Sequence, residues 1–181
     1  MPSDNPAKPD LEVWDSCCLI GVLNKEPDKL PTLLAQTQYF ETGKAILGIP
    51  TTAVTEVVTL SDGTPAGPKL KEFLDNHYVE LLQPTLEVSL MSSNLQYRFN
   101  SKRMPELKAK AIAAGVPSDQ ANRLKSRDSE ILATALVYKA KRLTTYDPFL
   151  IFLGKEYIEP ETGLVIGPPD SSWLNFDQES E

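Results

Sequence analysis

A single histidine, His77, occurs among the 181 residues, so no chemistry that needs two imidazoles is open to the chain. It lies in Asp75-Asn76-His77-Tyr78 without a second candidate ligand and reads as a structural residue near a helix end. Cysteine is almost as scarce. Cys17 and Cys18 are adjacent, and neighbouring cysteines rarely bridge each other or fit a zinc motif. Set in the apolar run Cys17-Cys18-Leu19-Ile20, they read as buried, reduced thiols of a cytoplasmic protein. No apolar run approaches the roughly 20 residues of a membrane helix. The first residues, 1–10, are polar and proline-bearing; they read as a flexible N-terminus and not as a secretory signal.

Hydrophobic residues make up 41% of the chain, enough for a core, and the length suits one domain with decorations. The net charge of −7 alone speaks against a polyanionic partner, but its distribution speaks for one. Segment 98–127 holds eight bases (Arg98, Lys102, Arg103, Lys108, Lys110, Arg123, Lys125, Arg127) and two acids, Glu106 and Asp119, for +6. The remainder, ten bases against 23 acids, is −13. That asymmetry suggests a basic surface on an acidic body, although a solvated helical face would carry the same pattern.

Strand-like and helix-like stretches alternate. Residues 11–14 read as a strand, with Ser16 capping the helix that follows. A helix spans about 30–45, a strand 46–53, and a helix carries Glu56. Residues 61–68 form a Gly/Pro loop, 69–76 a helix, and 78–82 a strand. Thr85 caps a helix to about 99; another runs 105–114 and stops at Gly115. An apolar helix covers 128–141, and 142–145 is the last clear strand. Such alternation predicts an α/β fold, a three-layer α/β/α sandwich around a central parallel sheet. The domain is expected to cover 11–155, with 98–127 as a basic helical insertion and 156–181 as an acidic tail. The tail carries seven acids and no base. Its end is expected to be mobile, with Trp173 and Phe176 able to dock.

Four acids occupy comparable places in this pattern. Asp15 ends the first strand, Glu56 falls in the first turn after the second, Asp128 starts the helix before the last strand, and Asp147 follows that strand. Sites in parallel sheets form outside the carboxyl ends of strands, where all four can converge. Each has an ordinary reading as a helix cap, a dipole partner or a turn residue. Four clustered carboxylates without a counterion would repel, however, and an oxygen-rich set suits Mg²⁺ or Mn²⁺. No Cys or His ligand is expected beside them to favour zinc.

The residues around these acids resemble the PIN-domain family. Val13-Trp14-Asp15-Ser16-Cys17-Cys18-Leu19-Ile20 is similar to its opening strand–Asp–Ser/Thr–helix motif. Thr52-Ala53-Val54-Thr55-Glu56-Val57-Val58 is similar to its second. Arg127-Asp128-Ser129-Glu130-Ile131-Leu132-Ala133-Thr134-Ala135-Leu136 resembles its "D-x-x-I-x-A-T-A" helix, and Leu143-Thr144-Thr145-Tyr146-Asp147-Pro148-Phe149 its closing "L-x-T-x-D-x-x-F". The group most similar is the VapC-like ribonuclease toxins, whose compact members are shorter between Tyr97 and Lys125. The resemblance implies a metal-dependent endoribonuclease with RNA as substrate. Asp15 and Asp128 would be the principal metal ligands and also catalytic, with Glu56 and Asp147 completing the site directly or through water. Ser16 and Thr145 would hydrogen-bond ligands or substrate. Arg123, Lys125 and Arg127, directly before Asp128, would contact RNA, and Arg98, Lys102 and Arg103 would extend the track. A cognate antitoxin protein and a second copy of the chain are the further partners it implies.

Other Asp-at-strand-end folds fit less well. A haloacid-dehalogenase-type phosphatase needs a second Asp two residues on, where Cys17 stands, and a response-regulator receiver needs a paired acid and a later Lys that are not so placed. The remaining alternative is a catalytically silent PIN-like module that binds RNA or protein.

Overall fold

The computed structural model describes residues 9–100, 104–121 and 124–169. The expectations for Lys102, Arg103, Arg123, Trp173 and Phe176, and for most of the N-terminus and the end of the tail, lie outside the described residues. Five strands, β1 (Asp10–Trp14), β2 (Ala45–Pro50), β3 (Val79–Leu82), β4 (Arg142–Thr144) and β5 (Val165–Gly167), form one sheet in the order β3-β2-β1-β4-β5. Every pairing is parallel. Parallel strands need crossovers, and helices supply them on both faces, as the three-layer expectation requires.

Alternation along β1 divides the core in two. Trp14 points to one face with Leu47 and Ile49. Over it lie α1 (Ser16–Leu23), α2 (Leu30–Glu41) and α4 (Gly67–Leu74), which bury Leu19, Leu33, Phe40 and Phe73 there. Val13 and Leu143 point to the other face. There α5 (Leu86–Asn100), α6 (Met104–Ala113), α7 (Ser126–Val137) and α8 (Pro148–Leu153) contribute Leu95, Phe99, Leu107, Ile131, Leu132 and Leu153. The first face also buries a polar network. Trp14 Nε1 donates to Gln36 Oε1 at 2.9 Å, and Gln36 Nε2 donates to Glu12 Oε2 at 2.8 Å. Burial pushes the Glu12 carboxyl up, and the Gln36 hydrogen bond and the Arg142 charge partly offset this. Among the described residues no helix is long and apolar enough to cross a membrane.

Four expectations need correction. β2 stops at Pro50, and residues 51–53 belong to α3 (Thr51–Glu56) instead of the strand. Pro50 cannot donate to a ladder and its fixed φ suits a helix start. Glu56 is therefore the last residue of α3, not a first-turn residue. Second, Asp15 and not Ser16 is the N-cap of α1; its carboxylate accepts from Ser16 N. Third, β4 is not the last strand. A π-helical turn (Gly154–Ile158) runs across the expected domain boundary, and the stretch assigned to the acidic tail holds its end, α9 (Glu159–Thr162) and β5. Leu143 pairs with Ile166 in the sheet, and Ile166 is buried in the second core. The α7 helix is also shorter than expected. It gives way at Tyr138, before Lys139 at φ 57.

The π-helical turn sits directly against β5. A Cβ built on Gly154 would lie 2.6 Å from Ile166 Cβ and 3.1 Å from its Cγ1, atoms close to the strand backbone with little freedom to yield. Gly154→Ala is expected to destabilise the fold by about 1–3 kcal/mol through overpacking, measured by urea unfolding. Wild-type stability in that variant would mean that β5 does not dock against this turn.

Candidate active site

Parallel order places the carboxyl ends of β1 and β4 side by side, with the chain leaving β1 through Asp15 and β4 through Thr145. The switch in strand order falls here, which is where such sheets open a crevice. A cleft of about 740 Å³ lies at this point, and Asp15, Glu56, Asp128 and Asp147 all line it. The structure thus brings the four sequence-predicted acids to one place from four separate elements.

Asp15 is the most firmly held. It is 4% exposed. Its Oδ2 accepts from the Thr145 hydroxyl at 2.7 Å and from Cys17 Sγ at 3.4 Å. Its Oδ1 accepts from Ser16 N at 2.6 Å and from Ser16 Oγ at 3.2 Å. Burial raises its pKa most, these hydrogen bonds lower it, and the Asp147 charge raises it; the net direction is up. Thr145 Oγ1 also accepts from Asp147 N at 3.0 Å, so one hydroxyl ties the two loops together. Ser16 and Thr145 both contact a candidate ligand in this way. Asp147 caps α8, its Oδ1 accepting from Phe149 N at 2.7 Å and Leu150 N at 3.0 Å.

Asp128, in the first turn of α7, shows the electrostatic state of the cleft. Its carboxyl is pushed up to about 6, first by burial and then by the charges of Asp15 and Asp147; Lys125 opposes this and Glu56 adds to it. The acids therefore feel each other. They do not yet close on a common point: among the described residues no three His, Cys, Asp or Glu side chains are gathered tightly enough to hold an ion. Glu56 lines the cleft but is engaged there, its Oε1 accepting from Arg127 Nη1 at 3.0 Å. The donor chemistry nonetheless fits a hard divalent cation, since the cleft is lined by carboxylates in mutual repulsion.

Not every expectation about this region holds. Cys17 is half-exposed and lines the cleft, while Cys18 is buried. A soft donor thus stands beside Asp15, where none was expected, but it is engaged: Tyr146 N donates to Cys17 Sγ at 3.3 Å. Lys125 and Arg127 line the cleft as anticipated. Arg98 does not extend their track. Its guanidinium donates to both Glu161 oxygens, at 2.8 and 2.5 Å, beside a separate cavity that Lys110 and Tyr157 also line. Sequence reasoning missed Lys29, Asp119 and Tyr146 in the cleft wall. Tyr146 was signalled by its place between Thr145 and Asp147. Lys29 carried no signal, because only the docking of α2 brings it there, 2.6 Å from Glu26 and with Nζ 5.3 Å from the Tyr146 ring centre.

No protein-family model matches the chain, and no curated protein matches it in sequence. Among solved structures it is similar to one described as VapBC2 from Rickettsia felis bound to a DNA fragment from their promoter. Identity is 14%, covering 88% of this chain and 99% of that one, with a TM-score of 0.57. The likeness is one of fold. This chain is an α/β/α protein of PIN-like fold, with a five-stranded parallel sheet covered by helices on both sides.

The raised Asp128 carboxyl has a definite consequence for pH. Its folded pKa, about 6, exceeds the ordinary value of 3.8, so the folded state disfavours the charged form. Below about pH 4 the group is neutral in both states and costs nothing. As pH rises through about 6, the folded protein loses stability relative to the unfolded chain. In chelator, Asp128→Asn should remove this fall, so that the variant gains on wild type between pH 4 and 6.5. Parallel stability curves from chemical denaturation would show that Asp128 is not strained by its neighbours.

Proposed function

We propose that the protein is a metal-dependent endoribonuclease that hydrolyses RNA phosphodiester bonds. The observation that carries this reading is the convergence of Asp15, Glu56, Asp128 and Asp147 on one cleft at the switch point of a PIN-like sheet. Asp15 and Asp128 would hold Mg²⁺ or Mn²⁺, with Glu56 and Asp147 completing the set directly or through water. When bound there, a divalent ion would supply charge neutralisation at the phosphate and a lowered pKa for a water beside it. Thr145 and Ser16 fix the Asp15 carboxylate by hydrogen bonds. Lys125, Arg127 and Lys29 stand around the same cleft, where cations can orient a phosphate backbone.

The VapBC2 likeness supports a place for this chain as the toxin of a toxin–antitoxin pair, with a cognate antitoxin as protein partner. A cytoplasmic setting, in which Cys17 and Cys18 stay reduced, goes with that reading. The reading of a silent RNA- or protein-binding module draws on the ion pair that occupies Glu56, and the metal experiment separates the two.

Mn²⁺ should raise the melting temperature, because it relieves carboxylate repulsion only in the folded state. At 100 times its dissociation constant the stabilisation is about 2.7 kcal/mol. Asp128→Asn should lose most of that gain and abolish RNA cleavage while keeping the fold. A melting curve unchanged between chelator and excess Mn²⁺ sinks the metal site, and cleavage at the wild-type rate by Asp128→Asn removes that residue from the chemistry.

RNA capture should be strongly salt-dependent. In an Asp128→Asn background, Lys125→Glu is expected to weaken binding and flatten the plot of log affinity against log salt by about 0.7 units or more. Equal slopes across a salt series would take Lys125 off the RNA path.

A further inference from the structure

We propose that Arg127 couples cation binding to substrate binding by exchanging partners: it holds Glu56 in the free protein and releases it when a phosphodiester takes the guanidinium. The inference rests on the nuclease reading above and adds to it an order of assembly. Glu56 closes on the metal only as RNA arrives.

The ion pair is placed so that it opens readily. Arg127 is the second residue of α7 and Glu56 the last of α3. A cation at a helix N-terminus and an anion at a C-terminus both sit against the dipole, so neither charge is there to stabilise its own helix. The Arg127 side chain is 63% exposed and that of Glu56 19%. On the Arg127 side the pair is open to solvent, which weakens it, and a phosphate can reach and compete for a guanidinium that forms planar, two-pronged contacts with phosphate as well as carboxylate. The frame around the pair does not have to move. The Thr52 hydroxyl donates to Glu130, joining the start of α3 to α7, so that exchange needs only side-chain rotation. Once released, Glu56 faces the same cleft as Asp128, whose charge it already influences.

Both ligands should show the coupling, because linkage is reciprocal. The first arm titrates Mn²⁺ alone into wild type, Arg127→Ala, Glu56→Gln and the double variant, reading affinity by calorimetry. Arg127→Ala should tighten Mn²⁺ binding beyond its effect in the Glu56→Gln background, a non-additivity of about two- to fivefold for an exposed pair. Lys125→Ala, which removes a nearby cation without touching Glu56, should combine additively with Glu56→Gln. The second arm measures binding of a single-stranded RNA oligonucleotide in chelator, where no cleavage occurs. Glu56→Gln should tighten RNA binding, and the gain should disappear when Arg127 is Ala. Additive effects in both arms, with Mn²⁺ and RNA still bound, overturn the exchange and leave the nuclease reading standing. Absence of Mn²⁺ binding in every variant overturns both.

Discussion

The hydrogen bond from the Thr145 hydroxyl to the Asp15 carboxylate, 2.7 Å long, fixes the geometry on which the site depends. Asp15 leaves β1 and Thr145 leaves β4, residues 130 apart in the chain. They meet because the two strands pair in parallel, Trp14 beside Thr144, and because Asp15 N donates to Thr144 O at 3.0 Å. The same hydroxyl accepts from Asp147 N, so two of the four acids are positioned by one side chain. An isolated buried carboxylate would be costly. Here Thr145, Ser16 and Cys17 hydrogen-bond Asp15 and offset part of that cost, though burial still prevails.

The other two acids come from helices and are held more loosely. α7 packs along α5 through Ser129, whose hydroxyl lies 2.9 Å from Ser92 Oγ, and through the buried Ile131 and Leu132. That places its first turn, and so Asp128, at the cleft. α3 has six residues, under two turns, and carries Glu56 from the end of β2 towards α7. A rigid pair of strand-end acids facing a pair on helix termini lets the site be built by the fold while its charge balance stays adjustable.

Much of this was legible in the sequence. The alternation of elements predicted the parallel sheet, and the residues around Asp15, Asp128 and Asp147 marked the strand ends and helix start that meet at the cleft. What failed had local causes. Thr51-Thr52-Ala53-Val54-Thr55 is rich in β-branched residues and continues the pattern of β2, yet Pro50 ends the strand and starts a helix. β5 has only three residues between a glycine turn and two prolines, too short for any period to register. Its burial follows from pairing with β4, which is tertiary information. The Arg127–Glu56 pair spans 71 positions and could not be read from either motif, because both residues look like site residues when taken alone.

That pair also changes what the basic segment means. Read along the chain, its positive charge suggests a track for a polyanion. In three dimensions part of that charge is paired: among the described residues Arg98 meets Glu161, Lys110 meets Glu106 and Arg127 meets Glu56. Net charge is therefore a poor guide to where RNA would lie. The better guide is which of these ion pairs opens onto the acidic cleft. Arg98 and Lys110 line a cavity elsewhere, whereas Arg127 lines the cleft itself beside Lys125. An acidic body can still receive a phosphate chain at such a point. On the proposed exchange an arriving phosphate would take the place of the Glu56 carboxylate beside Arg127, and the displaced carboxylate would be free for the acidic cleft, where a divalent cation would offset the added negative charge.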